Sequence, residues 1–202
     1  REIMQMGLEC IGDIDLYTMG EVICLAVRSL QTVSEQFILD VSHVGVTAAL
    51  LDAAGLQDVA RKKMTSSIGA KNSDEIRILC RQYEVDKALT ESIVGLSGIY
   101  GSFKSAIEKA ESYCVNDTMR EAMRELKEVY RVLESMDCAE NVNLDFSIVN
   151  DMDYYSGVIF QGFIKGIPVE VLYGGRYDNL LHRMDKKGQA IGFAVYLGQL
   201  EQ

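Results

Sequence analysis

The chain is short of the residues from which metal sites, disulfide frameworks and phosphate-binding surfaces are built. It has two histidines, His43 and His182, far apart in sequence. Neither sits in a ligand spacing, so each reads as a surface or loop residue and no metal site is expected. Five cysteines (Cys10, Cys24, Cys80, Cys114 and Cys138) are odd in number and lack a C-x-x-C pair. That pattern fits neither a zinc site nor a disulfide framework, and it reads as reduced thiols in the cytoplasm. Positive charge is scarce, 20 Lys and Arg against 30 Asp and Glu, for a formal net charge of −10. Nucleic-acid affinity rests largely on Lys and Arg, so no nucleic-acid partner is expected. No run of about 18 apolar residues and no signal-peptide pattern is read, which leaves no membrane span. Proline occurs once, at Pro168.

What is present is ordinary for a globular protein: 202 residues, 48% hydrophobic and 25% charged,. That length suffices for one substantial core, or a domain carrying an insertion. The chain opens at "REIMQMGLECIG" without an initiator Met and stops at "YLGQLEQ". It reads as a fragment of a longer protein.

Residues 3 to 11 alternate loosely between apolar and polar, which suits a half-buried strand. From 19 to 33 the apolar positions recur at helical spacing. "QFILDV" (36–41) suits a buried strand, and Ser42 stands as the N-cap region of a helix that Gly55 ends,. Between 56 and 138 strand-like runs vanish and helical periods take over. The clearest piece places Met119, Met123, Leu126, Tyr130, Leu133 and Met136 on one face behind a cap at Asn116 or Asp117,. Strands return at "NLDFSIV" (143–149). "YYSGVIFQGFI" and "IPVEVLYGG" then form a hairpin turning at Lys165-Gly166, with Pro168 just past the turn where a missing N–H is tolerated,. A short helix follows over about 178–184, and "QAIGFAVYLGQLEQ" reads as a strand entering a helix. The pattern predicts an α+β fold on an antiparallel sheet. Its parts are a core over 1–55, a helical insertion over 56–138 and a second core segment over 139–202.

The stretch "NDMDYYSGVIFQGFIKGIPVEVLYGGRYDNLL" (150–181) gathers phenols, glycines and charges around the hairpin. Singly, each residue has an ordinary structural use. Tyr154 and Tyr155 suit cross-strand aromatics, Gly174-Gly175 a strand end, and Arg176 with Asp178 a surface ion pair. Gln5 and Glu9, four apart on the first strand, share one face.

Together, "REIMQMGLE", "DMDYYSGVIF", "GGRYDNLL" and "AIGFAVYL" occur in that order around the helical block. This set resembles histidyl-tRNA synthetase, from the middle of motif 2 through motif 3, over nearly the whole chain. The resemblance implies the catalytic-core fold of the class II aminoacyl-tRNA synthetases. It also implies a histidine pocket. Gln5 and Glu9 match the family's Gln-x-Gly-x-Glu segment, and Tyr154-Tyr155 its tyrosine pair. Glu9 and Tyr155 would grip the two edges of an imidazole, one accepting from a ring N–H and the other serving the opposite nitrogen. Gln5 would face the α-amino group, and Gly174 and Gly175 would let backbone approach the ligand. Arg176 and Asp153 would support the pocket wall.

The departures matter as much. The synthetase carries an arginine just before its Gly-Leu-Asp-Tyr-Tyr, where this chain has Asn150 followed by Asp151. Its motif 3 ends in a Glu-Arg, where this chain has Gly198 and Gln199. Fixed arginines stabilise the charge that builds during adenylate formation, so their loss implies a pocket without a catalyst. That combination is similar to the regulatory subunits of short-form ATP phosphoribosyltransferase, inactive paralogues of the synthetase. What this implies is no catalytic residue and no cofactor, free L-histidine as feedback signal, and the catalytic subunit as partner. It further implies a homodimer within a hetero-oligomer, at the first step of histidine biosynthesis. Two alternatives stay open: a divergent histidyl-tRNA synthetase fragment, and a histidine-binding paralogue serving another complex.

Overall fold

The computed structural model describes residues 4–149 and 154–200. Strand β1 (Gln5–Gly12) leads into helix α1 (Leu16–Val33), which begins where the Asp15 carboxylate accepts from the Thr18 N–H at 2.7 Å. That bond satisfies one of the orphan amides of the first turn and places the helix start ahead of the first apolar position that the periodicity marks. Strand β2 (Phe37–His43) runs two residues past its expected end, so Ser42 lies inside it, fully buried. The cap of α2 (Val44–Ala53) falls instead to His43, whose Nδ1 accepts from the Gly45 N–H at 3.1 Å. His43 was expected at the surface or in a loop. It is buried, because the strand end and the helix start close around its ring.

The helical block contains α3 (Asp58–Gly69), α4 (Ser73–Gln82), α5 (Lys87–Ser97), α6 (Phe103–Glu111) and α7 (Asp117–Ser135). It also contains a three-residue strand that no periodicity announces, β3 (Tyr100–Ser102), paired antiparallel with β4 (Val142–Asp145). Helices α3 to α5 pack on one another, whereas α7 lies against α1 and α2. Its buried face is Met119, Ala122, Met123, Leu126, Val129 and Leu133, within the main core. Asn116 caps α7 by accepting from Met119 N–H at 2.9 Å and also donates to the Ala49 carbonyl of α2 at 3.1 Å.

The remaining elements are β5 (Val158–Ile164), β6 (Leu172–Arg176), α8 (Asp178–Arg183), β7 (Gln189–Tyr196) and α9 (Leu197–Leu200). The seven strands form one sheet in the order β1-β7-β6-β5-β2-β4-β3. The expected hairpin pairs β5 with β6, from Ile159 opposite Gly175 to Gly162 opposite Leu172. Gly166 turns the chain at φ +95°, and Pro168 lies in the connection before β6. One pair corrects the antiparallel expectation: β2 and β4 are parallel. Parallel neighbours require a crossover, and the helical block is that crossover.

Alternation divides the sheet into two faces. Leu172, Phe160 and Leu39 point to the face that α1 and α7 cover. Gly162 lets α1 sit close, since a Cβ there would fall 2.7 Å from Leu30 Cδ1. The same packing joins Cys24 of α1 to Cys138 just beyond α7, in a disulfide across 114 residues. That corrects the expectation of five reduced thiols. Only tertiary packing brings the two together, and no local spacing records it. Cys10, Cys80 and Cys114 are free.

Candidate functional site

The opposite face carries the candidate site. One register level runs Glu9 (β1), Gly192 (β7), Gly175 (β6), Ile159 (β5) and Ser42 (β2). Cross-strand partners share a face, so the Glu9 side chain rises over Gly192 and Gly175. A Cβ at Gly192 would collide with the Glu9 carboxylate, and one at Gly175 would fall 2.7 Å from the Tyr155 ring. The two glycines therefore make a floor on which an acid and a phenol can lie flat. Gly174 belongs elsewhere: its missing side chain faces Phe160 and Phe193 in the core. Of the Gly-Gly pair, Gly175 alone faces this side.

Tyr155 is buried in a small apolar cluster with Ile159, Tyr177, Leu181 and Ala190. Tyr154 meets it edge-on at 4.8 Å between centroids and stacks on Tyr177 at 5.6 Å. The Tyr177 hydroxyl donates to Glu9 Oε2. Burial, reinforced by that carboxylate, holds the Tyr177 phenol well above its ordinary pKa, so it stays a donor,. Tyr177 and Gly192 join Glu9 and Tyr155 in the site without having been singled out as candidates. Both lie inside quoted motifs, "GGRYDNLL" and "AIGFAVYL", but only the fold aims them at Glu9. Gln5 shares the Glu9 face about 13 Å further along the strand. Asn150, Asp151 and Asp153 lie outside the described residues, and Gln199 lies in α9.

Behind the floor, Arg176 Nε donates to Asp178 Oδ2 at 2.8 Å, with both side chains more than four-fifths buried. This is a supported wall rather than a surface pair. Asp178 Oδ1 accepts from the Ala190 N–H at 3.0 Å and ties β7 to the same corner. A second pair backs it. Because Gly45 donates to His43 Nδ1, the proton of the neutral ring sits on Nε2, which donates to Glu125 Oε1 at 3.2 Å,. The His43 hydrogen bond holds the Glu125 carboxyl below its usual range, with help from the Arg176 charge, against the opposing cost of burial.

A carboxylate has about four lone-pair sites, so Glu9 can hold Tyr177 and still accept from a ligand N–H. An apolar, phenol-walled floor beneath one acid suits a flat ring with a polar edge. Among the described residues, no group of three His, Cys, Asp or Glu is placed to hold a metal, and no helix is long and apolar enough to cross a membrane.

The seven-stranded sheet with its helices is the fold of a class II synthetase core. The chain belongs to the histidyl-tRNA synthetase family, whose profile matches residues 1–200. Among curated proteins it is similar to the ATP phosphoribosyltransferase regulatory subunit of Oceanobacillus iheyensis, 32% identical over 97% of this chain and 49% of the relative. The subunit of the same name from Clostridium kluyveri is 31% identical over 96% of this chain and 50% of the relative. The chain thus spans about half the length of the curated relatives it matches. A Bacillus halodurans structure, described as an ATP phosphoribosyltransferase regulatory subunit/histidyl-tRNA synthetase, aligns with a TM-score of 0.87 at 32% identity. The alignment covers 98% of this chain and 52% of that one. The ATP phosphoribosyl transferase complex from Thermotoga maritima shares the fold, with a TM-score of 0.75 at 19% identity over 96% of this chain and 66% of that one.

Proposed function

We propose that this chain is part of a non-catalytic regulatory subunit of ATP phosphoribosyltransferase, acting at the first step of L-histidine biosynthesis in the cytoplasm. It binds free L-histidine as the feedback signal, is required for activity of a catalytic partner subunit, and forms a homodimer within the hetero-oligomer the two make. The observation that carries this reading is Glu9 standing over the Gly192–Gly175 floor beside Tyr155, in a chain about one-third identical to subunits of that name.

The imidazole lies against Glu9 and Tyr155, with one ring N–H donated to Glu9 and the opposite nitrogen served by Tyr155. Gln5 faces the α-amino group, and Arg176 with Asp178 keeps the wall in place. The family resemblance gives Asp153 a supporting role as well. Asn150 and Gln199, standing where the synthetase has arginines, leave adenylate formation without its charge stabilisers. Binding biases an assembly only if its two states differ in histidine affinity, and the partner subunit supplies the second state.

Two measurements on the full-length protein test this. Calorimetry should show histidine binding, and pyrophosphate exchange dependent on histidine and ATP should stay at background. Exchange well above background favours the other reading, a working synthetase, which the family profile keeps in view.

A further inference from the structure

Beyond the Glu9 floor, the same sheet face holds a second recess of about 480 Å³. Asp40 and Gln161 form its base, Lys62, Thr65 and Ser66 of α3 its roof, and Asp145 one wall. Asp40 lies on β2 and Glu9 on β1, four strand spacings apart in the sheet order. At about 4.8 Å per spacing this is ~19 Å, too far for one small ligand to span both.

The recess has an unmet demand at its base. Asp40 is 7% exposed, and its Oδ1 has no hydrogen-bond partner among the described residues. The Asp145 carboxylate beside it is satisfied on both oxygens, by Lys71 Nζ at 2.9 Å and by Ser147 N–H and Oγ–H at 2.9 and 2.6 Å. Of these two carboxylates the deficit falls on Asp40; Ser42 Oγ, two residues further along β2, is also without a partner among the described residues. A buried carboxylate oxygen without a donor costs folding free energy unless something supplies one. Burial first, then the Asp145 charge, raises Asp40 to about 6, while hydrogen bonding from Asn143 and Tyr100 and the Lys71 charge act the other way. At neutral pH the group is therefore charged at a cost that a cationic donor would offset. At the roof, Lys62 is exposed and no carboxylate among the described residues pairs with it. Negative charge within and positive charge at the rim are complementary to a zwitterion entering amine first.

We propose that this recess is a second small-molecule site, taking a compound with a primary ammonium group, held at Asp40, and a carboxylate, held by Lys62 with the Thr65 and Ser66 hydroxyls. It is independent of the Glu9 pocket and stands or falls separately from it.

The test follows backbone amide resonances of the full-length protein during titration with L-alanine, methylammonium chloride and sodium acetate. L-alanine and methylammonium should shift the amides of Asp40, Thr65 and Gln161 saturably, and acetate alone should not. Asp40→Asn, which keeps the side-chain volume, should weaken both by at least tenfold. Lys62→Glu should weaken L-alanine and leave methylammonium unchanged. Glu9→Ala, which disables the first pocket, should leave all three titrations as they were. Absence of saturable shifts with a Kd below about 10 mM would mean that only water fills the recess and overturns the site. Equal binding by parent and Asp40→Asn overturns it as well. A loss of the L-alanine shifts in Glu9→Ala would assign the ligand to the first pocket instead.

Discussion

Glu9 and Tyr177 show how one contact can serve both stability and recognition. The carboxylate that the proposed function aims at an imidazole already accepts from a buried phenol. Glu9→Ala should leave a ring donor unpaired in the bound state, at roughly 1–3 kcal/mol. That weakens histidine binding about 5- to 150-fold by calorimetry. It should also blunt histidine inhibition of the reconstituted enzyme. If binding falls while inhibition is untouched, the regulatory site lies elsewhere. Gly192→Ala attacks the same carboxylate from beneath. Its Cβ would meet Glu9 and stand 2.5 Å from the Leu8 carbonyl oxygen, which is backbone and cannot rotate away. A cost of about 1–3 kcal/mol in urea unfolding is expected, with histidine binding lost alongside.

Asp40 makes a prediction of the opposite sign. Its folded value of about 6 lies above the ordinary 3.8, so the folded state binds this proton more tightly than the unfolded chain does. Ionised Asp40 therefore lowers stability above about pH 6, and the penalty is relieved as the pH falls toward 4,. Asp40→Asn should be more stable than the parent by about 1–2 kcal/mol at pH 7.5, with the gap narrowing as the pH falls below about 6 and closing below the ordinary value of 3.8,. Urea midpoints at several pH values read this directly, and a constant gap would mean that Asp40 is not the titrating group.

At the scale of elements, α7 has an apolar stripe legible in the sequence and neighbours that are not. Leu126 is fully buried against the main core, so Leu126→Ala should cost about 2–5 kcal/mol,. Asn116→Ala removes a cap and a bond to Ala49 at once and should cost more than the ~1 kcal/mol typical of a cap,. Arg124→Ala on the exposed side should stay within about 0.5 kcal/mol. Thermal or urea unfolding ranks the three, and a different order would move the core face of α7.

For the whole molecule, the sequence alone leads one to expect a separable helical insertion over 56–138; we propose instead that the block does not fold apart from the core. Helix α7 shares the core with α1 and α2, and Cys138 is bonded to Cys24. The block also supplies the crossover that makes β2 and β4 parallel. Excising 56–138 should leave a remainder without cooperative unfolding or native-like circular dichroism. A folded, compact remainder would show the block to be independent.

The sequence by itself determined the alternation of strand and helix, the α7 stripe, the β5–β6 hairpin and the motifs around Glu9, Tyr155 and the Gly-Gly pair. These depend on periodicity and short spacing, which the chain carries locally. Tertiary structure decided whatever depends on partners distant in sequence. It chose Gly175 rather than Gly174 for the site face, because one residue of register separates the two faces of a strand. It brought Tyr177 to Glu9 and buried His43 against Glu125. It also left Asp40 without a donor for one oxygen among the described residues. Such pairings are fixed only when the sheet closes and the helices cover one side, because hydrogen-bond demand and burial belong to the packed molecule.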